Sequence, residues 1–225
     1  MYFIPAGATI CETISVFPKG TCTVDCTIRC KFKKGIGFLI WKSSGDAAAD
    51  TAMGAASASI LQYEIGVDSS YQNICEFVAA LTGLALLLLM NAQSQEHIDS
   101  VSFRGDNEVA LTWMDKQKSK NSMANRACSV LALLVTRSNI MVDCVEHVPA
   151  SQNVECEKLS HGKSVKEVLG KYVPNLITVV PGAVGVVAEI IDLCNPRMEV
   201  EEDESTFEVF WSRASELADR LLPPL

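Results

Sequence analysis

Apolar and polar residues alternate along an early segment of the chain, and this period of two predicts a half-buried strand. Every second residue from Cys22 to Phe32 is apolar, and the residues between them are polar or charged. Residues 36–41 form a dense apolar run with two aromatic residues, which is typical of a buried strand. Residues 53–60 are rich in small side chains, and residues 59–65 fit a further strand.

Helical spacing of apolar residues predicts three helices in the middle of the chain, separated by short strands. The helices are residues 76–90, 107–114 and 122–137, and the strands are residues 101–104 and 140–145. Asn73 is the predicted N-cap of the first helix. Several strands followed by helices that alternate with strands indicate a mixed α/β fold, in which helices pack against a sheet.

The last part of the chain has a less regular pattern. Residues 176–193 fit a strand that turns into a helix, and residues 207–222 fit a terminal amphipathic helix. The acidic residues 199–205 between them are typical of a solvated linker.

Charge is unevenly distributed, which changes what the net charge of −8 implies. From Glu199 onward, eight acidic residues stand against two arginines, a charge of −6 that leaves −2 for the rest. The stretch from Lys116 to Asp143 contains no acidic residue before Asp143. It carries five cations: Lys116, Lys118, Lys120, Arg126 and Arg137. A local basic face is what contact with nucleic-acid phosphates requires. A solvated helix face explains the same residues equally well.

Cysteine usage and hydropathy favour an intracellular protein. The nine cysteines are an odd number, and most stand in apolar contexts where a thiol behaves as a small hydrophobe. Cys22, Cys26 and Cys30 have no fourth ligand at a familiar zinc spacing, so a strand is favoured over a metal site. No uninterrupted run of 18 apolar residues and no secretory signal is visible, so we expect a cytoplasmic or nuclear location and no membrane.

Four acidic residues fall at the ends of predicted strands or near the starts of helices. Asp46 follows the strand at residues 36–41, and Glu76 lies in the predicted first turn of the long helix. Asp106 separates a strand from a helix, and Glu157 follows a loop. Carboxylates suit Mg²⁺, and four of them together would hold two ions about 4 Å apart. Spacing alone nevertheless favours scattered surface acids over a shared site.

Four segments carry a recurring pattern of acids, small residues and helix starts. They are GDAAADTAMGA at residues 45–55, ICEFVAAL at residues 74–81, SFRGDNEVALTW at residues 102–113 and EHVPASQNVECEKLS at residues 146–160. In this order, the segments resemble the ribonuclease H domain attached to the reverse transcriptases of retroelements. The resemblance covers residues 36–162.

The resemblance implies a ribonuclease H-like fold, with a mixed five-stranded sheet flanked by helices. An extra N-terminal strand and a C-terminal helical extension would be added to it. The expected division is a strand-rich lead-in at residues 1–35, the domain at residues 36–162, and an extension with an acidic linker and terminal helix at residues 163–225.

The resemblance also implies a metal-dependent endonuclease that hydrolyses the RNA strand of RNA–DNA hybrids with two Mg²⁺ or Mn²⁺ ions. The catalytic residues and metal ligands would be Asp46, Glu76, Asp106 and Glu157. The residues expected to contact nucleic acid are Asn107, Lys116, Lys118, Lys120 and Arg126. A helix cap explains Asn107 more readily. The expected partners are the hybrid and a reverse-transcriptase polymerase region in a larger polyprotein.

Glu157 departs from the family pattern, which usually has aspartate at this position. Glutamate is one methylene longer, so it could move the second ion by about an ångström and lower the rate on the order of a hundredfold. The alternative function is therefore a catalytically degenerate module that binds nucleic acid or protein.

Overall fold

A computed structural model describes the strands and helices of the chain but not every connection between them. The described residues are 22–31, 35–43, 51–59, 69–93, 98–161, 163–164, 167–168, 183–194 and 204–222. Asp46, all but the first residue of the predicted strand at residues 59–65 and most of the acidic linker lie outside them.

Five strands pair into one mixed sheet. Their bounds are β1 Cys22–Lys31, β2 Gly35–Ser43, β3 Thr51–Ser59, β4 Ile98–Gly105 and β5 Met141–His147. Their order is β3-β2-β1-β4-β5. β2 is antiparallel to β1 and β3, whereas β4 is parallel to both β1 and β5. The expected mixed α/β class is confirmed.

β1 lies at the centre of the sheet rather than before the domain. Asp25 of β1 stands opposite Trp41 of β2 and Ser102 of β4. A division at residue 35 would therefore separate the central strand from both of its neighbours, which corrects the expectation of an extra N-terminal strand. Alternation correctly predicted a strand here. It could not predict the partners, because a period of two reports one buried face and not which strands pair.

In the part of the chain that the structure describes, six helices with defined bounds accompany the sheet. Their bounds are α1 Ser69–Gln93, α2 Glu108–Lys116, α3 Ser122–Ser138, α4 Val154–Ser160, α5 Ala183–Cys194 and α6 Glu204–Leu221. Because α1 begins at Ser69, Asn73 lies inside the helix, and its prediction as the N-cap was wrong. By length and composition, Gln72–Leu89 of α1 could cross a membrane, but 83% of this window is buried inside the protein.

α1 is the centre of the hydrophobic core. Its side chains Phe77, Leu81 and Leu84 are fully buried and belong to one cluster with Phe103 of β4. α3, α5 and α6 pack on α1, and α5 and α6 add further apolar residues to the same cluster. The helices of the expected C-terminal extension therefore share a core with the domain.

Ion pairs accompany this packing of the acidic C-terminal helices. Arg137 of α3 contacts Asp219 of α6, and Arg213 of α6 contacts Asp192 of α5 at 2.6 Å. Arg137 also donates to the main-chain oxygen of Ser215. Arginines of the same chain therefore neutralise part of the acidic tail. One cation of the basic stretch, Arg137, already forms an ion pair with α6.

Buried cysteines behave as small hydrophobes in the described part of the chain. Cys75, Cys128, Cys156 and Cys194 are buried free thiols, whereas Cys144 is exposed. Burial raises the pKa of Cys128 to about 11 and the pKa of Cys194 to about 12, so both thiols stay protonated near neutral pH. The side chains of Cys22, Cys26 and Cys30 lie outside the described part of the structure.

Candidate functional site

Asp106 stands at the end of β4, immediately before α2. The main chain holds this end in place, because the N–H of Val148 donates to the carbonyl oxygen of Gly105 at 2.8 Å. Asn107 is the N-cap of α2, as predicted: its Oδ1 accepts from the N–H groups of Val109 and Ala110 at 3.1 and 3.0 Å. A strand end followed by a capped helix therefore presents the Asp106 carboxylate at one end of the sheet.

Glu76 is a buried carboxylate on α1. Its exposed fraction is 2%, and its Oε1 accepts a hydrogen bond from the Nε2 of Gln72 at 3.0 Å. The prediction that Glu76 lies in the first turn was wrong, because α1 begins seven residues earlier, at Ser69. Burying a carboxylate is unfavourable unless polar groups contact it, and the Gln72 amide is one such group.

A hydrogen bond between two asparagines joins the segment of Glu76 to the segment of Asp106. The Nδ2 of Asn107 donates to the Oδ1 of Asn73 at 2.8 Å. Asn73 lies about one helical turn before Glu76, and Asn107 directly follows Asp106. Two acids that are distant in sequence are therefore carried by segments in direct contact.

Asn153 connects a third segment to Asp106. This asparagine precedes α4, is 2% exposed, and donates from Nδ2 to the Oδ1 of Asp106 at 3.3 Å. In the sequence, Asn153 is part of the closing motif, and no role in the site was predicted for it. Its signal was its position four residues before the acid Glu157, but the helix α4 that it precedes was not predicted from the sequence.

Glu157 lies one turn into α4, and its N–H donates to the carbonyl oxygen of Asn153 at 3.0 Å. Its Oε1 is 2.9 Å from the Nε2 of His161, and each side chain is about one-third exposed, at 32%. The Glu157 carboxylate therefore contacts His161 at the end of its own helix. The hydrogen bond that joins this segment to Asp106 comes from Asn153.

Gly37 explains how α4 approaches the sheet. A Cβ atom at this position would lie 2.6 Å from the Cβ of Leu159 and 2.7 Å from the carbonyl oxygen of Cys156. Ile40, three residues later on β2, belongs to the core cluster on α1. Residues three apart on a strand face opposite sides, so α1 and α4 cover opposite faces of the sheet. Glu76 and Glu157 are thus carried by helices on different faces.

Asp46 falls outside the described residues, between the end of β2 and the start of β3. The end of β2 lies beside the start of β1, where Ser43 is opposite Thr23, and the start of β4 lies beside the same end of β1. Asp106 follows the other end of β4, which spans about 26 Å over its 8 residues. The described strand ends therefore do not favour a meeting of Asp46 with Asp106.

Asp25 is an acid that the sequence analysis did not select. Among the described residues of β1, β2 and β3, it is the sole carboxylate. It stands opposite Ser102 on the adjacent parallel strand β4, four residues before Asp106, or about 13 Å along the strand. The available signal was an acid on the polar side of an alternating strand. It was passed over because this strand was assigned to a lead-in outside the domain.

The carboxylate oxygens of Glu76 and Asp106 are the type of donor that a hard cation prefers. These two residues do not form a complete metal site by themselves. In the described stretches, no three His, Cys, Asp or Glu side chains are grouped so that they could hold a metal ion. Glu76 and Asp106 offer oxygen donors and contact the amides of Gln72 and Asn153. A complete set of metal ligands would need an acid in addition to Glu76 and Asp106.

The residues predicted to contact nucleic acid are in different environments. Lys116, Lys118 and Lys120 are exposed at the end of α2 and in the connection to α3. Arg126 is partly buried, and its guanidinium carbon lies 5.9 Å from the centroid of the Phe210 ring on α6. The three lysines form an exposed basic surface, whereas Arg126 takes part in packing between helices.

Comparison with known proteins yields only distant likeness. No protein-family model matches the chain, and no curated protein matches its sequence. In structure, the chain is similar to LC11 ribonuclease H1, which was solved in complex with an RNA/DNA hybrid. The identity is 16% and the TM-score 0.45, over 62% of this chain and 93% of that chain.

Two further structures are similar at the same level. Ribonuclease H1 from the halophilic archaeon Halobacterium salinarum NRC-1 has 18% identity and a TM-score of 0.41, over 62% of this chain and 94% of that chain. The N-terminal ribonuclease H domain of a Mycobacterium tuberculosis protein has 12% identity and a TM-score of 0.39, over 68% and 99%. TM-scores and identities this low assign neither a family nor an activity to this chain.

Proposed function

We propose that the chain is a ribonuclease H-like endonuclease that hydrolyses the RNA strand of RNA–DNA hybrids in the presence of a divalent metal ion. The observation that carries the proposal is the contact of three acid-bearing segments at the end of β4. Asn107 bonds to Asn73 at 2.8 Å, and Asn153 bonds to Asp106 at 3.3 Å. The motifs quoted above supply the reaction class, and the mixed sheet flanked by helices agrees with it.

Asp106 is the central acid of the proposed site. The amide of Asn153 donates to its Oδ1 and so orients the carboxylate, as outer contacts orient metal ligands in general. Glu76 is carried to the same end of β4 by α1, and Glu157 by α4. We propose Asp25 as the further acid in place of Asp46, because it belongs to the strand that pairs directly with β4.

The proposed cofactor is Mg²⁺ or Mn²⁺, with two ions as the resemblance implies. When bound, such ions activate water and stabilise the leaving oxygen. The proposed contacts to phosphate are Lys116, Lys118 and Lys120, which are exposed. A retroelement origin, a polymerase region in a larger polyprotein and an intracellular location are also proposals, supported by the motifs and composition alone.

Cleavage assays on the whole chain test this function. A hybrid labelled on its RNA strand, single-stranded RNA and double-stranded DNA are each incubated with Mg²⁺, with Mn²⁺ and with a chelator. We expect cleavage of the RNA in the hybrid and none in the presence of the chelator. Cleavage that persists with the chelator, or an intact hybrid with both metals, contradicts the proposal.

The choice of the further acid can be tested with two matched substitutions. We expect Asp25→Asn to lower the cleavage rate by at least about 100-fold, because a displaced or lost ligand disrupts the reacting geometry. Asp46→Asn should have a much smaller effect, since the adjoining strand ends lie at the opposite end of β4. The measurement is the single-turnover rate at saturating Mg²⁺. The reverse ranking of the two variants would restore Asp46 to the site.

A catalytically degenerate binding module is the second candidate function. It is favoured by the contact of Glu157 with His161 at 2.9 Å and by the lack of a metal-binding group among the described side chains. In that case, the exposed lysines would still contact a nucleic acid, but the protein would not hydrolyse that nucleic acid.

Glu157→Asp distinguishes a weakened enzyme from a degenerate module. The shorter side chain withdraws the carboxylate from His161 and restores the length usual in the resembled family. We expect a gain in cleavage rate of about tenfold or more, within the hundredfold that a misplacement of about 1 Å can cost. Calorimetric titration with Mg²⁺ accompanies the rate measurement. No gain together with no Mg²⁺ binding would support the degenerate module.

A further inference from the structure

β5 is an edge strand of the sheet. Within the stretches that the structure describes, it pairs with β4 on one side and with no strand on the other. None of its seven residues is buried, and Met141 and Cys144 are exposed. An edge strand presents a row of main-chain N–H and C=O groups that can pair with another extended segment.

A groove of about 330 Å³ lies between β5 and α2. Leu111 of α2 and Val145 of β5 give it an apolar part, and the other lining residues are Glu108, Thr112, Asp115 and His147. Val145 and His147 are two residues apart, so both point to the face of β5 that α2 covers. The volume is at the lower end of the range for sites that hold a small ligand.

The groove is negatively charged. Glu108 and Asp115 are both exposed, and neither forms an ion pair with the residues that the structure describes. Asp115 lies in the last turn of α2, where a negative charge opposes the helix dipole. A cation in the groove would relieve this opposition. The two carboxylates would repel a phosphate, so the groove does not suit a nucleic-acid backbone.

We propose that the β5 edge and this groove form a docking site for an extended polypeptide segment that carries lysine or arginine. The segment adds to the sheet beside β5 through main-chain hydrogen bonds, and every second side chain points toward the groove. The cationic group contacts Glu108 and Asp115. Its methylene stem lies along Leu111 and Val145. This interaction does not depend on nuclease activity.

Fluorescence anisotropy with synthetic peptides tests the docking site on the whole chain. The probe is a labelled peptide of about eight residues in which lysine and valine alternate, matching a typical strand length. Two peptides serve as comparisons, one with glutamate in place of lysine and one with every second amide N-methylated. We expect saturable binding of the probe. We expect none of the glutamate peptide, and at least about tenfold weaker binding of the N-methylated peptide, which retains its charge but cannot pair with an edge.

Matched charge reversals locate the interaction on the protein. Asp115→Lys should weaken binding of the probe at least about tenfold, because it places like charges together in the groove. Glu208→Lys makes the same change of charge at an exposed position on α6. It should leave the affinity unchanged. Absence of binding, equal binding of the N-methylated peptide, or equal weakening by both variants would each overturn the proposal.

Discussion

Asp106→Asn is expected to lower the rate of hybrid cleavage by at least about 100-fold while the protein remains folded. Asparagine has nearly the same shape as aspartate, and its side-chain oxygen can still accept the hydrogen bond from the Nδ2 of Asn153. The cap that Asn107 provides to α2 does not involve the Asp106 side chain. The substitution therefore removes the negative charge and leaves the contacts between the three segments in place.

Single-turnover cleavage and thermal unfolding should be measured on the same preparations of this variant. Asp143→Asn is the matched control, because it makes the same chemical change at an exposed position on the neighbouring strand β5. The control should cleave at the parental rate. If Asp106→Asn is as active as the control, the end of β4 is not the catalytic site. If it has lost its cooperative unfolding transition, the residue is needed for the fold.

Gly37→Ala is expected to lower the free energy of unfolding by about 1–3 kcal/mol, the usual effect of overpacking. The added Cβ would lie 2.6 Å from the Cβ of Leu159, and 2.7 Å from both the carbonyl oxygen of Cys156 and the main-chain nitrogen of Ser160. Two of these three atoms belong to the α4 backbone, so a change of rotamer cannot remove the clash. α4 must move, and it is joined to Asn153 and carries Glu157. Cleavage should therefore fall together with stability.

Gly185→Ala is the control for Gly37→Ala. Gly185 lies inside α5, and a Cβ there would meet nothing within 4 Å. Alanine is favoured over glycine in a helix, so this variant should be more stable by up to about 1 kcal/mol. Urea unfolding curves measure both effects. Equal unfolding midpoints for Gly37→Ala and the parent would show that α4 does not lie against β2 as described.

Local signals located the described elements except β3 and α4, which were not predicted, and they missed some of the limits. Alternation from Cys22 to Phe32 predicted a strand that the structure places at Cys22–Lys31, and Asn107 was correctly interpreted as a cap. The start of α1 was missed, because Asn73 has the chemistry of a cap. Its side chain instead accepts a hydrogen bond from Asn107. A residue that can cap a helix can equally well make a tertiary hydrogen bond, and nothing local distinguishes the two roles.

The contacts of the candidate site were predictable only in part. Glu76 and Asp106 were selected from their own motifs, and their segments do meet. Asn153 received no role, because its importance comes from a bond to a residue 47 positions earlier. Asp25 was not considered, because the first strand was treated as an addition to the domain, although it is the central strand of the sheet.

Periodicity, capping chemistry and composition were thus sufficient to assign most of the described strands and helices and a mixed α/β class, because each depends on residues that are near one another in the chain. Pairing β1 between β2 and β4, packing α4 on Gly37 and packing α5 and α6 against α1 depend on contacts between distant residues. Two such contacts join the segments of Glu76, Asp106 and Asn153 at the end of β4. The register of a strand and the face of the sheet that a helix covers depend on the burial of whole elements. No short stretch of residues carries that information.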